Sequence, residues 1–146
     1  MNLAASAQLS DDTSTFSGEV AATCSISGLN SEYQLSRDIS FDEDYLHSGY
    51  QSFNISANTK VKLVTNYQII GEPSGFTPDT RKVMMDECIN GQCDSTVQAL
   101  QPGVDSSSWW FLTETPGTAT ARVRMIAGPN LLPGDYSYQV TIKCLM

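Results

Sequence analysis

Four cysteines are the residues whose type and spacing most constrain the chemistry of this 146-residue chain. Cys88 and Cys93 flank a short segment whose centre, Asn90-Gly91, is a strong signal for a two-residue β-hairpin turn. Such a turn brings the residues on either side of it together across the hairpin, so the two thiols would lie within bridging distance. We therefore predict a local Cys88–Cys93 disulfide.

The other two cysteines, Cys24 and Cys144, lie towards the two ends of the chain and are then left to pair with each other. In the chain-entropy model, the long loop closed by Cys24–Cys144 adds roughly 4–5 kcal/mol to the free energy of unfolding, and the short loop closed by Cys88–Cys93 adds about 2 kcal/mol. A zinc site at Cys88 and Cys93 has permitted spacing, but no second close cysteine pair exists. Disulfides are our first interpretation and indicate an oxidising compartment, with zinc and free thiols as the alternatives.

Residues that could perform catalysis are sparse. The single histidine, His47, lies close in sequence to Asp44 and Ser48, whereas a catalytic triad normally draws its members from separate segments that meet in a cleft. Cysteines held in disulfides cannot act as nucleophiles. Sixteen carboxylates allow an acid–base pair somewhere, but their number does not locate one. We expect a protein that is not an enzyme and needs no cofactor.

A short acidic run supplies the weak metal candidates of the chain. Asp42 and Asp44 belong to this run and carry the hard oxygen ligands that calcium prefers. The run lacks the glycine and the terminal glutamate of an EF-hand loop. We keep the two aspartates as calcium candidates and interpret the run first as an exposed acidic turn.

Trp109 and Trp110 begin the most apolar aromatic cluster of the chain. Adjacent side chains on a strand point to opposite faces, so one indole would enter the core and the other would face outward. An outward indole can stack on a sugar ring or seat in a partner protein, which makes the two tryptophans ligand-contact candidates. The alternative is an indole covered by the neighbouring connections.

The composition favours an exported β-protein. Acidic residues outnumber basic ones by 16 to 8, and this balance argues against nucleic acid or an anionic membrane as a partner. Charged residues make up 16% of the chain, and no apolar run approaches the length of a membrane span. Ala5-Ser6-Ala7 before Gln8 has the pattern of a signal-peptidase site. We expect a mature protein that is secreted or displayed on the cell surface.

Period-two alternation of apolar and polar residues predicts half-buried strands along most of the chain. The apolar positions from Phe16 to Ile26 share their parity with Cys24, and those from Tyr136 to Ile142 share theirs with Cys144. Both cysteines should therefore face a common core. With turn signals between the strands, the pattern predicts an all-β protein, an antiparallel β-sandwich of seven to nine strands.

We divide the chain into an N-terminal extension, residues 1–15, and one sandwich domain, residues 16–146, with irregular connections at 72–117. The extension alternates like a short strand, and such a segment can add itself to the open edge of an incomplete sandwich in a neighbouring molecule. Head-to-tail exchange of this kind gives a filament, whereas the alternative is a frayed tail. The donor-strand candidates are Leu3, Ala5, Ala7 and Leu9.

Three segments carry a family resemblance: Phe16–Val20 leading to Cys24, Phe53–Ser56 continuing into Val61–Leu63, and Leu132–Tyr136 opening the last strand. Together they resemble secreted bacterial pilin-like domains of the spore-coat-protein-U-like and chaperone–usher kinds. The resemblance implies an immunoglobulin-like sandwich that passes through the periplasm to the cell surface and polymerises by donor-strand exchange. It would make the four N-terminal candidates the donor positions.

We therefore expect an extracellular structural subunit of a pilus, coat or surface layer that self-associates. The alternative is a monomeric secreted adhesion or carbohydrate-binding module, in which Trp109 or Trp110 would contact a glycan.

Overall fold

The computed structural model of the protein describes residues 12–40, 42–111 and 117–145, which form ten strands and no helix. The strands are β1 (Cys24–Ser27), β2 (Ser36–Ser40), β3 (Glu43–His47), β4 (Gln51–Ala57), β5 (Val61–Gly71), β6 (Thr80–Ile89), β7 (Gln92–Ala99), β8 (Trp109–Phe111), β9 (Gly117–Gly128) and β10 (Ser137–Leu145). Within this described part no helix is long and apolar enough to cross a membrane. The predicted all-β class is confirmed.

The larger of two antiparallel sheets is built around β9. On one edge β9 pairs with β4 and then with β3, so these two strands lie end to end. β1 pairs with β4 and β2 with β3, while β6 covers the other edge of β9 and carries β7. The interruption between β3 and β4 coincides with the turn signal Ser48-Gly49, which divides one long strand into two and raises the strand count above the predicted range.

The smaller sheet has the order β10-β5-β8. β10 pairs with β5 along its whole length, and β8 pairs with the beginning of β5 on the opposite edge. The N–H groups of Gly103 and Ser106 donate to the carbonyls of Tyr67 and Thr65, which continues that opposite edge. Both edges of β5 are therefore occupied, whereas the outer edge of β10 pairs with no strand among the residues that the structure describes.

The core lies between the two sheets and contains the inward positions of the alternating strands. In β4, for example, Phe53 and Ile55 are buried while Asn54 between them is exposed, as the alternation predicts. Burial of each such side chain contributes roughly 1.5–3 kcal/mol to the free energy of unfolding. The largest buried side chains are Tyr67, Phe53, Ile55, Leu63, Met85, Val61 and Val83.

The predicted first strand is wrong over most of its length. Residues 12–23 lie outside both sheets and are exposed, including Phe16 and Val20, which the alternation placed towards the core. The strand begins only at Cys24, which pairs with Ala57, the last residue of β4. The chain before Cys24 runs past the end of β4 and therefore has no neighbouring strand to pair with.

The interpretation of residues 72–117 as irregular connections also needs correction, because β6, β7 and β8 lie there. β6 and β7 form a long hairpin that contributes Val83 and Val97 to the core. Proline cannot donate to a strand ladder, and Pro73, Pro78 and Pro102 all fall between strands. The prolines therefore marked the connections, and the predicted hairpin at Asn90-Gly91 extends further in both directions than its turn signal indicated.

Both predicted disulfides are present and account for all four cysteines. Cys24–Cys144 joins β1 of the larger sheet to β10 of the smaller sheet, with 6.6 Å between the Cα atoms. Cys88–Cys93 closes the β6–β7 hairpin, whose turn residue Asn90 has a φ of 51°. A positive φ at this residue is what a two-residue hairpin turn of the Asn-Gly type requires.

The two disulfides should contribute unequally to stability. We expect Cys24→Ser/Cys144→Ser to lower the free energy of unfolding by about 4–5 kcal/mol and Cys88→Ser/Cys93→Ser by about 2 kcal/mol, because the first bond closes a much longer loop. Urea unfolding of the two double variants beside the parent protein measures both values. Equal losses, or a larger loss for the hairpin variant, would contradict the expectation.

Candidate functional site: a groove beside a free strand edge

A groove of about 770 Å³ opens between the two sheets on the side where β10 faces the connection from β1 to β2. Residues 29–35 of this connection form one wall and β10 forms the other, while the junction of β3 and β4 and the middle of β9 contribute to the floor. The apolar residues that line the groove include Leu29, Tyr33, Leu35, Met125, Tyr138, Val140 and Ile142.

The β10 wall presents core-facing side chains that the domain itself does not fully cover. Tyr138, Val140 and Ile142 alternate along one face of β10, and the first and last of these pack against the core. Val140 lies between them on the same face but is 36% exposed. Its exposure has a simple cause, because the groove opens in front of it. This stretch of the core is thus accessible from outside.

The groove is also bordered by backbone hydrogen-bonding groups of β10. β10 is hydrogen-bonded to β5 along one edge, and its other edge borders the groove. Alternate N–H and C=O groups of an edge strand point away from its partner and can pair with a further strand. An extended segment lying here would find both backbone partners and apolar side chains to pack against.

Two links hold the sheets together at the two ends of β10. Cys144 near its end is bonded to Cys24 of the larger sheet. At its beginning the Tyr138 hydroxyl donates to the Glu72 carboxylate, which also accepts two hydrogen bonds from Arg81 of β6, at 2.8 and 2.7 Å. The groove therefore lies between a covalent link and a hydrogen-bonded ion pair.

The electrostatics of the Glu72 link fix its protonation at neutral pH. Burial raises the pKa of the Glu72 carboxyl, but hydrogen bonds from Arg81 and Tyr138 outweigh it and the pKa lies below its ordinary value. Burial and the bond to Glu72 raise the pKa of the Tyr138 hydroxyl. Glu72 is therefore ionised and accepts, while Tyr138 stays protonated and donates.

Residues 12–23, which we call the arm, carry the two most exposed of the large apolar side chains in the described chain. Phe16 is 94% exposed and Val20 is 89% exposed. They stand four residues apart, so in an extended conformation both point to the same side, with Gly18 between them. An alternating apolar segment that is left in solvent is typical of a surface that another molecule covers.

The base of the arm is held by Asn58, in the turn between β4 and β5. The Thr23 N–H donates to Asn58 Oδ1 at 2.7 Å, and Asn58 Nδ2 donates to the Ala21 carbonyl at 2.8 Å. These bonds continue the line of β1 beyond the end of β4. The groove begins on the other side of β1, at residue 29, so the arm leaves the domain in the direction away from it.

The structure separates the residues that could have formed a triad. His47 Nε2 lies 3.8 Å from Asp38 Oδ2, whereas both carboxylate oxygens of Asp44 accept hydrogen bonds from Arg37. The Ser48 hydroxyl donates to the Gly49 carbonyl. Sequence proximity therefore did not bring Asp44, His47 and Ser48 together.

The calcium candidates do not assemble a ligand set either. Hydrogen bonding from Arg37 lowers the pKa of the Asp44 carboxyl, whose oxygens are thereby engaged. Asp42 lies in the turn between β2 and β3 with a φ of 64°. Across the described ranges no group of three or more histidine, cysteine, aspartate or glutamate side chains could hold a metal ion.

Two further sets of predicted site residues keep their status as predictions. The backbone of Trp109 and Trp110 lies in β8, opposite Leu63 and Lys62 of β5, while their side chains lie outside what the structure describes. The donor-strand candidates also lie outside the described residues. These candidates are Leu3, Ala5, Ala7 and Leu9.

Neither a protein-family model nor a curated protein matches the sequence of this chain. Three features of the molecule itself bear on its function, namely the groove, the outer edge of β10, which has no partner strand among the described residues, and the exposed arm. The sequence had signalled the apolar pattern of the arm and of β10. It carried no signal for the Asn58 contacts or for the Glu72 link, whose members come from separate elements.

The Glu72 link should make the protein sensitive to acid. A carboxyl whose pKa is lowered by folding contributes stability above its unfolded pKa and loses it as the pH falls through the folded pKa. We expect Glu72→Gln to lower the free energy of unfolding by about 2 kcal/mol at neutral pH, the size of a hydrogen bond to a charged group. The loss should become progressively smaller as the pH drops below about 4. Urea unfolding at a series of pH values measures the difference.

Glu32→Gln is the control, since Glu32 is an exposed glutamate. A cost of Glu72→Gln that is the same at low and neutral pH would show that ionisation of this carboxyl does not stabilise the fold.

Proposed function

We propose that this protein is an extracellular, non-enzymatic structural subunit of a pilus, coat or surface layer, and that it polymerises head to tail. The arm of one copy would add as a strand to the free edge of β10 in the groove of the next. The observation that carries the proposal is that one chain has both an open groove, with apolar side chains on its β10 wall, and an exposed arm that carries Phe16 and Val20. The immunoglobulin-like, pilin-like identity indicated by the sequence motifs belongs to this proposal.

Side-chain complementarity supports the pairing of arm and groove. Phe16 and Val20 of the arm would face the uncovered Val140 and its apolar neighbours, and burial of each would contribute roughly 1.5–3 kcal/mol. Gly18 between them lets the arm approach the wall closely, because it has no side chain. The backbone of the arm would satisfy the outer N–H and C=O groups of β10.

The extended lengths of the arm and of β10 agree with this arrangement. An extended chain advances about 3.3 Å per residue, so the nine residues of β10 span about 30 Å and the twelve residues of the arm span about 40 Å. The arm is thus long enough to run the full length of the strand. Leu3, Ala5, Ala7 and Leu9 would extend the donor segment further.

The course of the arm favours a neighbour over its own domain as the acceptor. Asn58 directs the base of the arm away from the groove, so the chain would have to reverse direction within the arm to fill the groove of its own domain. Exchange between copies uses two different surfaces on each molecule. Such a heterologous contact does not close on itself and gives an open filament.

The two disulfides support the extracellular part of the proposal. Bonds of this kind persist in oxidising compartments, and both are present here. The net charge of −8 suits a surface protein that remains dispersed until its specific contacts form. Export through the periplasm to the cell surface is the location that agrees with these features.

Substitutions in the arm test the proposal directly. We expect the parent protein to form a ladder of oligomers and Phe16→Glu/Val20→Glu to be monomeric, because burying a charged side chain against the apolar residues of the β10 wall is costly. Ser17→Glu/Ala21→Glu is the matched control, since these neighbours have the opposite parity and should leave assembly intact. Sedimentation velocity measures the size distribution, and circular dichroism checks that all three proteins fold.

Substitutions in the groove provide the complementary half of the same experiment. Val140→Glu should abolish assembly, whereas Thr141→Glu on the other face of β10 should not. A mixture of the arm variant with the Val140 variant should form only dimers, because each retains one of the two surfaces. A parent protein that stays monomeric at high concentration, or a mixture that yields no dimer, would overturn the proposal.

A further inference from the structure

The outer face of the smaller sheet brings a lysine and an asparagine together on neighbouring strands. Lys143 of β10 lies opposite Val64 of β5, and Thr141 lies opposite Asn66. Lys143 and Asn66 are therefore diagonal neighbours, a spacing that long side chains bridge on an antiparallel pair of strands. Neither of the two residues lines the groove.

Asp105, in the connection between β7 and β8, contacts both of these side chains. Its Oδ1 accepts a hydrogen bond from Asn66 Nδ2 at 2.7 Å and another from Lys143 Nζ at 3.0 Å. Lys143 Nζ also lies 3.2 Å from Asp105 Oδ2. One carboxylate oxygen thus touches the lysine amine and the asparagine amide nitrogen at the same time, so the two nitrogens lie no further apart than these two hydrogen bonds allow.

Backbone contacts on both sides hold Asp105 in this position. The Gly103 N–H donates to the Tyr67 carbonyl at 2.8 Å. The Ser106 N–H donates to the Thr65 carbonyl, also at 2.8 Å, and the Ser106 hydroxyl accepts from the Thr65 N–H. The connection is therefore fixed to β5 on either side of Asp105, which keeps the carboxylate against that strand.

These three residue types in mutual contact can form an isopeptide bond. A lysine amine that has lost its proton is a nucleophile, and the side-chain amide of asparagine is an electrophile whose nitrogen can leave as ammonia. Asp105 lies between the attacking and the leaving nitrogen, which is the place of a general acid–base group. Hydrogen bonds from Asn66 and Lys143 hold the pKa of the Asp105 carboxyl below its ordinary value, so it is ionised and can accept a proton.

Burial of Asn66 favours attack by the lysine over hydrolysis of the amide. The residue is only 8% exposed, so water has little access to it, whereas Asp105 holds the Lys143 amine directly beside it. The side chain of Asp105 is 41% exposed, which leaves ammonia a path to solvent.

We propose that Lys143, Asn66 and Asp105 form a self-crosslinking site, in which Lys143 Nζ becomes bonded to Asn66 Cγ. In the reaction Asp105 takes a proton from the lysine amine, Nζ attacks Cγ, and the bond between Cγ and Nδ2 breaks. The proton passes from Asp105 to the departing nitrogen, which leaves as ammonia, and the carboxylate is restored. The product is an amide between β5 and β10, and its formation needs no oxidant or further reactant.

The bond would tie the end of β10 to the centre of the sandwich. β5 supplies Leu63 and Tyr67 to the core, and Lys143 directly precedes Cys144, whose disulfide reaches the larger sheet. When the arm of a neighbour adds to β10, tension along the filament passes through this strand, and the crosslink would resist it. This consequence rests on the proposed function, whereas the crosslink itself forms within one chain.

Mass spectrometry of the full-length protein tests for the bond. After reduction of the disulfides we expect a mass about 17 Da below that of the sequence, the loss of one ammonia, in a fraction that rises on incubation at about pH 9, where more of the amine is neutral. Trypsin should then release residues 63–81 joined to residues 125–146, because trypsin does not cleave after an acylated lysine. This branched peptide distinguishes the crosslink from succinimide formation at Asn90-Gly91, which also loses ammonia.

Substitutions test the role of each residue. Lys143→Arg keeps a cation beside Asp105 but cannot form the amide, so it should abolish the branched peptide. Lys62→Arg, on the neighbouring strand, is the matched control and should leave it unchanged. Asp105→Asn should slow formation about a hundredfold or more, the usual contribution of general acid–base catalysis.

Circular dichroism checks that each variant folds, and the parent protein alone decides whether the bond exists. Absence of the branched peptide from the parent after incubation at the higher pH would overturn the proposal. Formation at the parental rate in Asp105→Asn would overturn the assigned role of the carboxylate.

Discussion

Among the described residues the backbone of β10 pairs with a strand on one side only, and this constraint shapes the rest of the structure. Where the described sheet gives β10 no second neighbour, part of the core faces a groove, and Val140 is exposed on the face of β10 that points to the core. The same shortage of partners leaves the arm in solvent, because β4 ends where β1 begins. The open edge of β10 thus leaves an acceptor surface, and the end of β4 leaves an unpaired donor segment.

The two sheets are linked at both ends of β10. The Cys24–Cys144 bond joins them at one end, and the contacts among Glu72, Arg81 and Tyr138 join them at the other. Val140 lies between the two links and remains partly exposed.

Some of this arrangement could be predicted from the sequence. The parity of Cys24 and Cys144 within their alternating strands indicated that both thiols face one core, and Asn90-Gly91 indicated the hairpin that joins the other pair. Alternation of apolar and polar residues is a local property, so the sequence shows it wherever a strand has one buried face. The same reasoning found the apolar positions of the arm.

Alternation does not reveal whether a strand has a partner, and this is where the prediction failed. Phe16 and Val20 have the pattern of a core-facing strand, yet pairing depends on where β4 ends, which is a property of the assembled sheet. For the same reason the sequence could not locate the groove, whose walls come from separate elements that meet only in the folded chain.

Hydrogen exchange along β10 tests most directly whether its outer edge is the missing half of an intermolecular pair. At low protein concentration every second amide from Tyr138 to Cys144 should exchange rapidly, and at concentrations where oligomers form these same amides should become protected. Outer amides that are already protected in the monomer, or that still exchange rapidly within the oligomer, would contradict the account.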